Sequence, residues 1–213
     1  MSWFFATVYD PFMRRTEKAC LAEWRDALLS PLGGSILEIG AGTGANLGHY
    51  PRRLLRARGK TADERLVLTE PDAHMLEHLR KRPETGEIEI ERASSDALPF
   101  PDESFDAVVS TLVLCSVPDV DRTLAEIRRV LKPGGALVFL EHVAADEASR
   151  RRRWQRRLEP LWSKLADGCH LTRETDKSIA KAGFMFETLE RESMRKSLPI
   201  VRPTVRGIAR KTG

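Results

Sequence analysis

The run Glu38-Ile39-Gly40-Ala41-Gly42-Thr43-Gly44 constrains this chain more than any other feature. It leaves a short apolar segment, Ser35–Ile39, that reads as a strand. It enters a stretch, residues 45–58, that reads as a helix interrupted near Pro51. Glycines at such a junction let the backbone turn tightly and let a ligand lie against it. The segments downstream keep alternating. Residues 66–70 and 88–92 read as strands, with a helix opened by Pro71-Asp72 and running to Lys81 between them. Residues 105–114 form a Val-rich strand. Residues 120–131 form a helix with Leu124, Ile127, Val130 and Leu131 on one face. Lys132-Pro133-Gly134-Gly135 reads as a turn, and residues 136–141 as a fifth strand. This alternation predicts an α/β, doubly wound, mostly parallel sheet with helices on both faces.

The flanks differ from this rhythm. Upstream, Phe5, Val8, Tyr9, Phe12 and Met13, then Leu21, Trp24, Leu28 and Leu29, recur at helical spacing until Pro31 and Gly33-Gly34. Downstream, residues 146–166 form an Arg-rich helical stretch, 168–173 a loop and 174–182 a short helix. Residues 184–191 and 205–211 read as closing strands. A length of 213 residues suits one domain. We divide it into a helical cap (1–30), a core (35–141), an insertion (146–182) and the closing strands (184–211). The basic stretch 52–65 is expected to be a surface loop.

Charge and cysteine content narrow the partners. Lys and Arg exceed Asp and Glu by 35 to 31, a net +4. Residues 150–157 alone hold six Arg and no acid, so the basicity is local. The plain expectation there is a solvated face opposite a buried stripe of Trp154, Leu158, Leu161, Trp162 and Leu165. The sharper readings are a peripheral membrane contact or a clamp for an anionic acceptor. No RNA-binding module is recognisable, so no nucleic-acid partner is expected. Cys20, Cys115 and Cys169 are an odd, scattered set, which suggests a reducing compartment. With no CxxC spacing, no metal site is expected, and Cys115 and Cys169 read as buried packing. The longest apolar run, 107–117, is shorter than the roughly 18 residues a span needs. The N-terminal residues show no secretory leader, so a cytoplasmic location is expected.

Three neighbours of the glycine run discriminate between ligands. Gly40, Gly42 and Ala45 also satisfy the dinucleotide pattern G-x-G-x-x-A. Glu38, however, places a carboxylate just before the loop, which repels a pyrophosphate and attracts an ammonium group. S-adenosylmethionine carries an ammonium, a sulfonium and no phosphate. Glu70 ends the second strand, where a carboxylate accepts from ribose hydroxyls. Asp96 and its apolar neighbours Ala97 and Leu98 come after the third strand, where they suit an adenine.

In this order ILEIGAGTG, LTEPD, SDALPF, FDAVVSTLVLCSV and EIRRVLKPGG resemble the class I S-adenosylmethionine-dependent methyltransferases. The resemblance implies a seven-stranded sheet with the last strand antiparallel. It implies that Glu38, Gly40, Gly42 and Gly44 hold the methionine part, and that Glu70 and Pro71 meet the ribose. Asp96 and Ala97 meet the adenine, while Thr111 and Leu112 close the pocket beneath the sulfonium. Tyr9-Asp10 resembles an N-terminal pair that folds over the cofactor in relatives; packing of Tyr9 in the cap core is the alternative.

The segment after strand four bears on the acceptor. Ser110-Thr111-Leu112-Val113-Leu114-Cys115-Ser116 is apolar and lacks the Asn/Asp-Pro-Pro-Tyr/Phe motif of enzymes that methylate planar amines. A small, partly apolar acceptor is expected. A closer resemblance, through TLVLCSV, FLEHV, Glu159-Pro160-Leu161-Trp162 and Asp167-Gly168-Cys169-His170-Leu171-Thr172-Arg173-Glu174-Thr175, is to the methyltransferase-like 7 group. It implies S-methylation of small thiols. Animal members carry a long N-terminal anchor that this sequence lacks, which puts membrane residence in doubt. A lipid head group or a quinone-like ring is the first rival acceptor, and a non-catalytic, cofactor-binding peripheral membrane protein the second. His142 and His170 are the candidate bases, each also readable as a histidine bonding a backbone carbonyl. His49 reads as surface or cap.

Overall fold

The computed structural model describes residues 14–56, 64–166 and 168–212. Tyr9, and the first part of the N-terminal helical pattern, lie outside them. A π-helical turn, Glu17–Leu21, runs into α1, Ala22–Leu29. The strands are β1 (Ser35–Ile39), β2 (Arg65–Thr69), β3 (Glu89–Glu91), β4 (Phe105–Thr111), β5 (Leu131–His142), β6 (Phe184–Ser193) and β7 (Pro203–Lys211). The further helices are α2 (Ala73–Arg80), α3 (Val120–Val130), α4 (Arg150–Leu165) and α5 (Thr175–Lys181).

The strands form one seven-stranded sheet in the order β3-β2-β1-β4-β5-β7-β6. β1 to β5 pair in parallel, while β7 runs antiparallel to both β5 and β6. This is the expected doubly wound architecture. The order reverses between β1 and β4, so the carboxyl ends of these strands open a crevice there.

Period-two alternation divides the core. Ile36, Leu66, Leu68, Val138 and Leu140 pack against Leu21, Trp24, Leu28 and Leu29 of the cap. Leu37, Ile39, Val108, Leu137 and Phe139 pack on the other face against Leu124, Ile127 and Val130 of α3. Each such buried side chain contributes roughly 1.5–3 kcal/mol, so the cap is firmly seated. Alternation also puts Glu38 on the same face as Ile36, towards the cap. Helix starts are set by side chains that accept N–H bonds: Asp72 for α2, Asp119 for α3 and Ser149 for α4.

Four expectations are corrected. The segment after the glycine run is not an α-helix; it is turns and two 3₁₀ turns, Leu47–His49 and Leu54–Arg56, with residues 57–63 outside the described set. The Asn46 and Tyr50 side chains there are drawn inward to Glu38, and Pro51 blocks helical continuation. Lys132-Pro133-Gly134-Gly135 does not separate helix from strand, because β5 begins at Leu131 and carries these residues as a bulge opposite Phe105 and Ala107. The fourth strand ends at Thr111, since Leu112 takes a left-handed φ of 59°. In α4 the stripe is not buried: Trp154, Leu161 and Leu165 are more than half exposed, while Arg152 and Gln155 face inward. Those two polar side chains win the inner positions because buried carbonyls await them. Arg152 donates to Thr172 O, and Gln155 donates to Val143 O and Ile200 O while accepting from Ala145 N.

Candidate active site

Glu38 ends up enclosed beneath the glycine loop. Its oxygens accept from Asn46 Nδ2 at 2.9 Å and Tyr50 Oη at 2.6 Å. Burial pushes its carboxyl up to about 7, against the opposing pull of Tyr50, Asn46 and nearby Arg25; the Glu70 charge adds to the rise. Arg25 reaches in from α1. It donates to Asn46 Oδ1 and, at 3.1 Å, to Thr111 Oγ1, which also accepts from Asn46 Nδ2. Its Nε is held by Glu17 at 3.1 Å. Cap, loop and β4 are thus joined by one buried network. Thr111 enters the site through this network, and Leu112 comes next in the strained left-handed region.

Glu70, 3% exposed, accepts from Gly42 N and Asp72 N, both at 2.9 Å. It ties the end of β2 to the crest of the glycine loop, beside exposed Pro71. Gly40 and Gly42 both adopt φ 57°, for different uses. A Cβ on Gly40 would lie 2.7 Å from Val113 Cγ2, so the turn packs directly on the segment after β4. A Cβ on Gly42 would meet nothing within 4 Å, so the crest faces open space. Gly44, by contrast, is closed over by Leu47 and Leu79.

Asp96 is half-buried and Ala97 exposed. Their loop is clamped from α3. Glu126 accepts Leu98 N, and Arg129 donates to Leu98 O, Phe100 O and Asp102. Arg122 Nε donates to Asp96 O. A cleft of about 420 Å³ lies between this loop and α3, lined by Asp96, Ala97, Leu98, Arg122, Ala125 and Glu126. The EIRRV stretch therefore acts by holding the Asp96 loop.

These features fit S-adenosylmethionine. Two buried carboxylates, Glu38 and Glu70, flank a glycine crest that opens to space. A phosphate there would meet two negative groups, whereas an ammonium offsets them.

The two candidate bases fall in different settings. His170 Nδ1 pairs with Glu159 Oε1 at 2.8 Å, and Glu159 also accepts Thr172 N. A carboxylate that orients one ring nitrogen leaves the other for proton transfer. His142 is 2% exposed, and its Nδ1 lies 3.8 Å from Cys169 Sγ. His49, half-buried, bonds Asp26 Oδ1. Cys115 is buried as expected and Cys169 is partly exposed, and with His142 they bring their ligand atoms within 4.8 Å of one another. The Cys169 thiol is pulled down by the hydrogen bond from Cys115 and then by His142, and the Cys115 thiol is pushed up by the same bond and by burial.

Sequence reasoning missed Arg25, Asn46, Tyr50, Arg129 and Glu141. Glu141, fully buried, accepts Ser110 Oγ at 2.6 Å, Val113 N and Cys115 N, and so shapes the turn after β4. The signal that could have found it is a carboxylate inside an otherwise apolar strand, which requires donors around it.

Comparison with known proteins identifies the family. A family model described as a methyltransferase domain matches residues 37–139. The human thiol S-methyltransferase TMT1A is 36% identical over 211 residues, 96% of this chain and 82% of that protein. The rat thiol S-methyltransferase TMT1B is 41% identical over 161 residues, 73% of this chain and 62% of that protein. A Thermotoga maritima crystal structure described as a SAM-dependent methyltransferase, possible histamine N-methyltransferase, superposes with a TM-score of 0.67 at 24% identity, covering 98% of this chain and 96% of that one. The chain belongs to the S-adenosylmethionine-dependent methyltransferases, in the family of TMT1A, and S-adenosylmethionine is its methyl donor.

Proposed function

We propose that the chain methylates the sulfur of small-molecule thiols. The observation that carries this reading is the make-up of the acceptor side. The apolar turn 112–117 and the loop 168–173 are locked together by His170 N to Cys115 O at 2.9 Å and by Arg173 to Leu114 O and Val117 O. No amide-recognising motif lies there, and a histidine oriented by Glu159 stands at its edge. The same segments carry the likeness to the thiol S-methyltransferases.

When bound, S-adenosylmethionine supplies an electrophilic methyl carbon on a sulfonium. The chain supplies placement. Glu38, Glu70 and the glycine loop hold the donor, while the turn after β4 presents the acceptor in line, which accounts for much of the rate in such transfers. His170 takes the thiol proton, since the thiolate is the nucleophile. Incubation with methyl-labelled donor and a panel of alkyl thiols, phospholipids, phenols and quinols tests this. Label is expected in the thiols as thioethers. Label confined to lipid or ring carbon overturns the thiol reading.

The insertion helix favours one further reading, a peripheral contact with anionic membrane. Trp154, Leu161 and Leu165 are exposed beside Arg150, Arg151, Arg153, Arg156 and Arg157, a mixture that suits a charged interface. Among the described residues no helix is long and apolar enough to cross a membrane. Vesicles rich in phosphatidylserine should float with the wild type. A variant with Trp154, Leu161 and Leu165 changed to Ser should stay at the bottom of the gradient. Equal flotation of the two removes this reading.

A further inference from the structure

We propose that Cys115, His142 and Cys169 form a Cys₂His zinc site whose open fourth position takes the acceptor sulfur as a thiolate. The second half of this statement rests on the thiol reading; the metal site does not.

The three residues come from three segments: the turn after β4, the end of β5 and the loop between α4 and α5. Their ligand atoms all lie within 4.8 Å of one another, with Cys169 Sγ 3.8 Å from His142 Nδ1. A tetrahedral zinc with its usual bond lengths sets sulfur–sulfur edges of about 3.8 Å and sulfur–nitrogen edges of about 3.6 Å. The cluster therefore closes on an ion with small side-chain movements. Its backbone is already held: Cys115 N by Glu141, Cys115 O by His170 N, and Cys169 N by Ala166 O.

The polar accounting points the same way. His142 is 2% exposed, and its Nε2 has no partner among the described residues. Its other nitrogen has only a long thiol contact. The nitrogen that faces the cluster is Nδ1, so a cation at its centre replaces that long thiol contact with a ligand bond, and the Nε2 deficit is separate from it. Two thiolates and an imidazole favour zinc over magnesium or calcium. Three protein ligands with a fourth position open are the pattern of catalytic rather than structural zinc. Cys115 and His142 are buried while Cys169 is partly exposed, so the cluster has one open side. The site also lies at the carboxyl ends of β4 and β5, the same end of the sheet as the glycine loop and Glu70.

The chemistry balances without a further reactant. The thiol binds zinc through sulfur and its proton leaves to solvent, because coordination favours the thiolate. A lone pair of that sulfur forms the new bond to the methyl carbon. The bond from the methyl carbon to the sulfonium breaks, and its electron pair stays on the departing sulfur, leaving a neutral thioether. The methylated product is a weaker ligand than a thiolate, which frees the fourth position.

The test uses the full chain, reduced and stripped of metal, titrated first with zinc against a chromogenic chelator and then with cobalt(II). The expected result is one equivalent bound, with tetrahedral cobalt absorption and a thiolate-to-cobalt charge-transfer band. Cys169→Ser is expected to weaken zinc at least tenfold and to lower that band, with S-adenosylmethionine affinity by calorimetry serving as the check on folding. Cys115→Ser and His142→Ala are read in the same way. Adding 2-mercaptoethanol to the cobalt protein should strengthen the charge-transfer band by a third sulfur ligand. No stoichiometric metal, or a Cys115–Cys169 disulfide formed equally fast with zinc present, overturns the site. A cobalt spectrum indifferent to thiol, or full thiol methylation by metal-free protein, overturns the fourth-position role and leaves the thiol reading standing. Label found only outside thiols overturns the thiol reading and that role, while the cobalt spectrum still decides the metal.

Discussion

Glu70→Ala is expected to weaken S-adenosylmethionine binding about 100-fold, measured by calorimetry. Hydrogen bonds to a charged group are worth roughly 1.5–3 kcal/mol each, so losing the two ribose contacts expected of Glu70 would give about 3 kcal/mol, which is two decades in affinity. The substitution also releases Gly42 N and Asp72 N, the two donors that fix the glycine crest on β2. Glu70→Gln keeps one acceptor oxygen and should fall between the wild type and alanine. Affinity for Glu70→Ala within about threefold of wild type removes Glu70 from the site, taking about 0.6 kcal/mol as the smallest effect worth attributing to it.

Arg25→Met is expected to cost about 3–5 kcal/mol of stability and to move the pH dependence of cofactor binding. The first effect arises because Arg25 is 4% exposed and its loss leaves Asn46, Thr111 and the Glu38 charge without their cation. For a chain of this size the melting temperature should drop by roughly 10 °C. The second effect comes from Glu38. Its carboxyl, raised by burial to about 7, is ionised only as pH rises through that value. A cationic ligand binds the ionised form, so wild-type affinity should rise across this range. The same raised carboxyl stabilises the ligand-free fold below the ordinary carboxylate range, and that stability is lost as pH rises through about 7. Without Arg25 the carboxyl goes higher still, and the affinity midpoint moves to more alkaline pH. A purely structural Arg25 would lower the melting temperature and leave the midpoint in place.

Much of the fold is legible in the sequence because its elements are local. The apolar runs of β1, β4 and β5, the amphipathic face of α3 and the Asp caps are properties of neighbouring residues. The segment after the glycine loop departs from its pattern for the opposite reason. Its helical spacing is real, but Asn46 and Tyr50 bond a carboxylate eight and twelve residues away, and that pull outweighs a propensity worth tenths of a kcal/mol per residue. α4 departs likewise, since its inward face is chosen by carbonyls on Val143, Thr172 and Ile200.

The amino-acid sequence by itself determined the candidate donor half of the site. The glycine run, Glu38, Glu70 and the Asp96 loop each sit at a strand end, and a doubly wound sheet delivers strand ends to one crevice. The tertiary structure alone brought together the cluster proposed for the acceptor side. Cys115 and Cys169 stand 54 residues apart with His142 between them, a separation that carries no local pattern. They meet because Glu141 folds the turn after β4 inward while Arg173 and His170 bind the insertion loop onto it. Local periodicity encodes which face a residue takes. Which distant faces then touch is fixed by where buried polar groups find their partners, and only the closed fold contains that information.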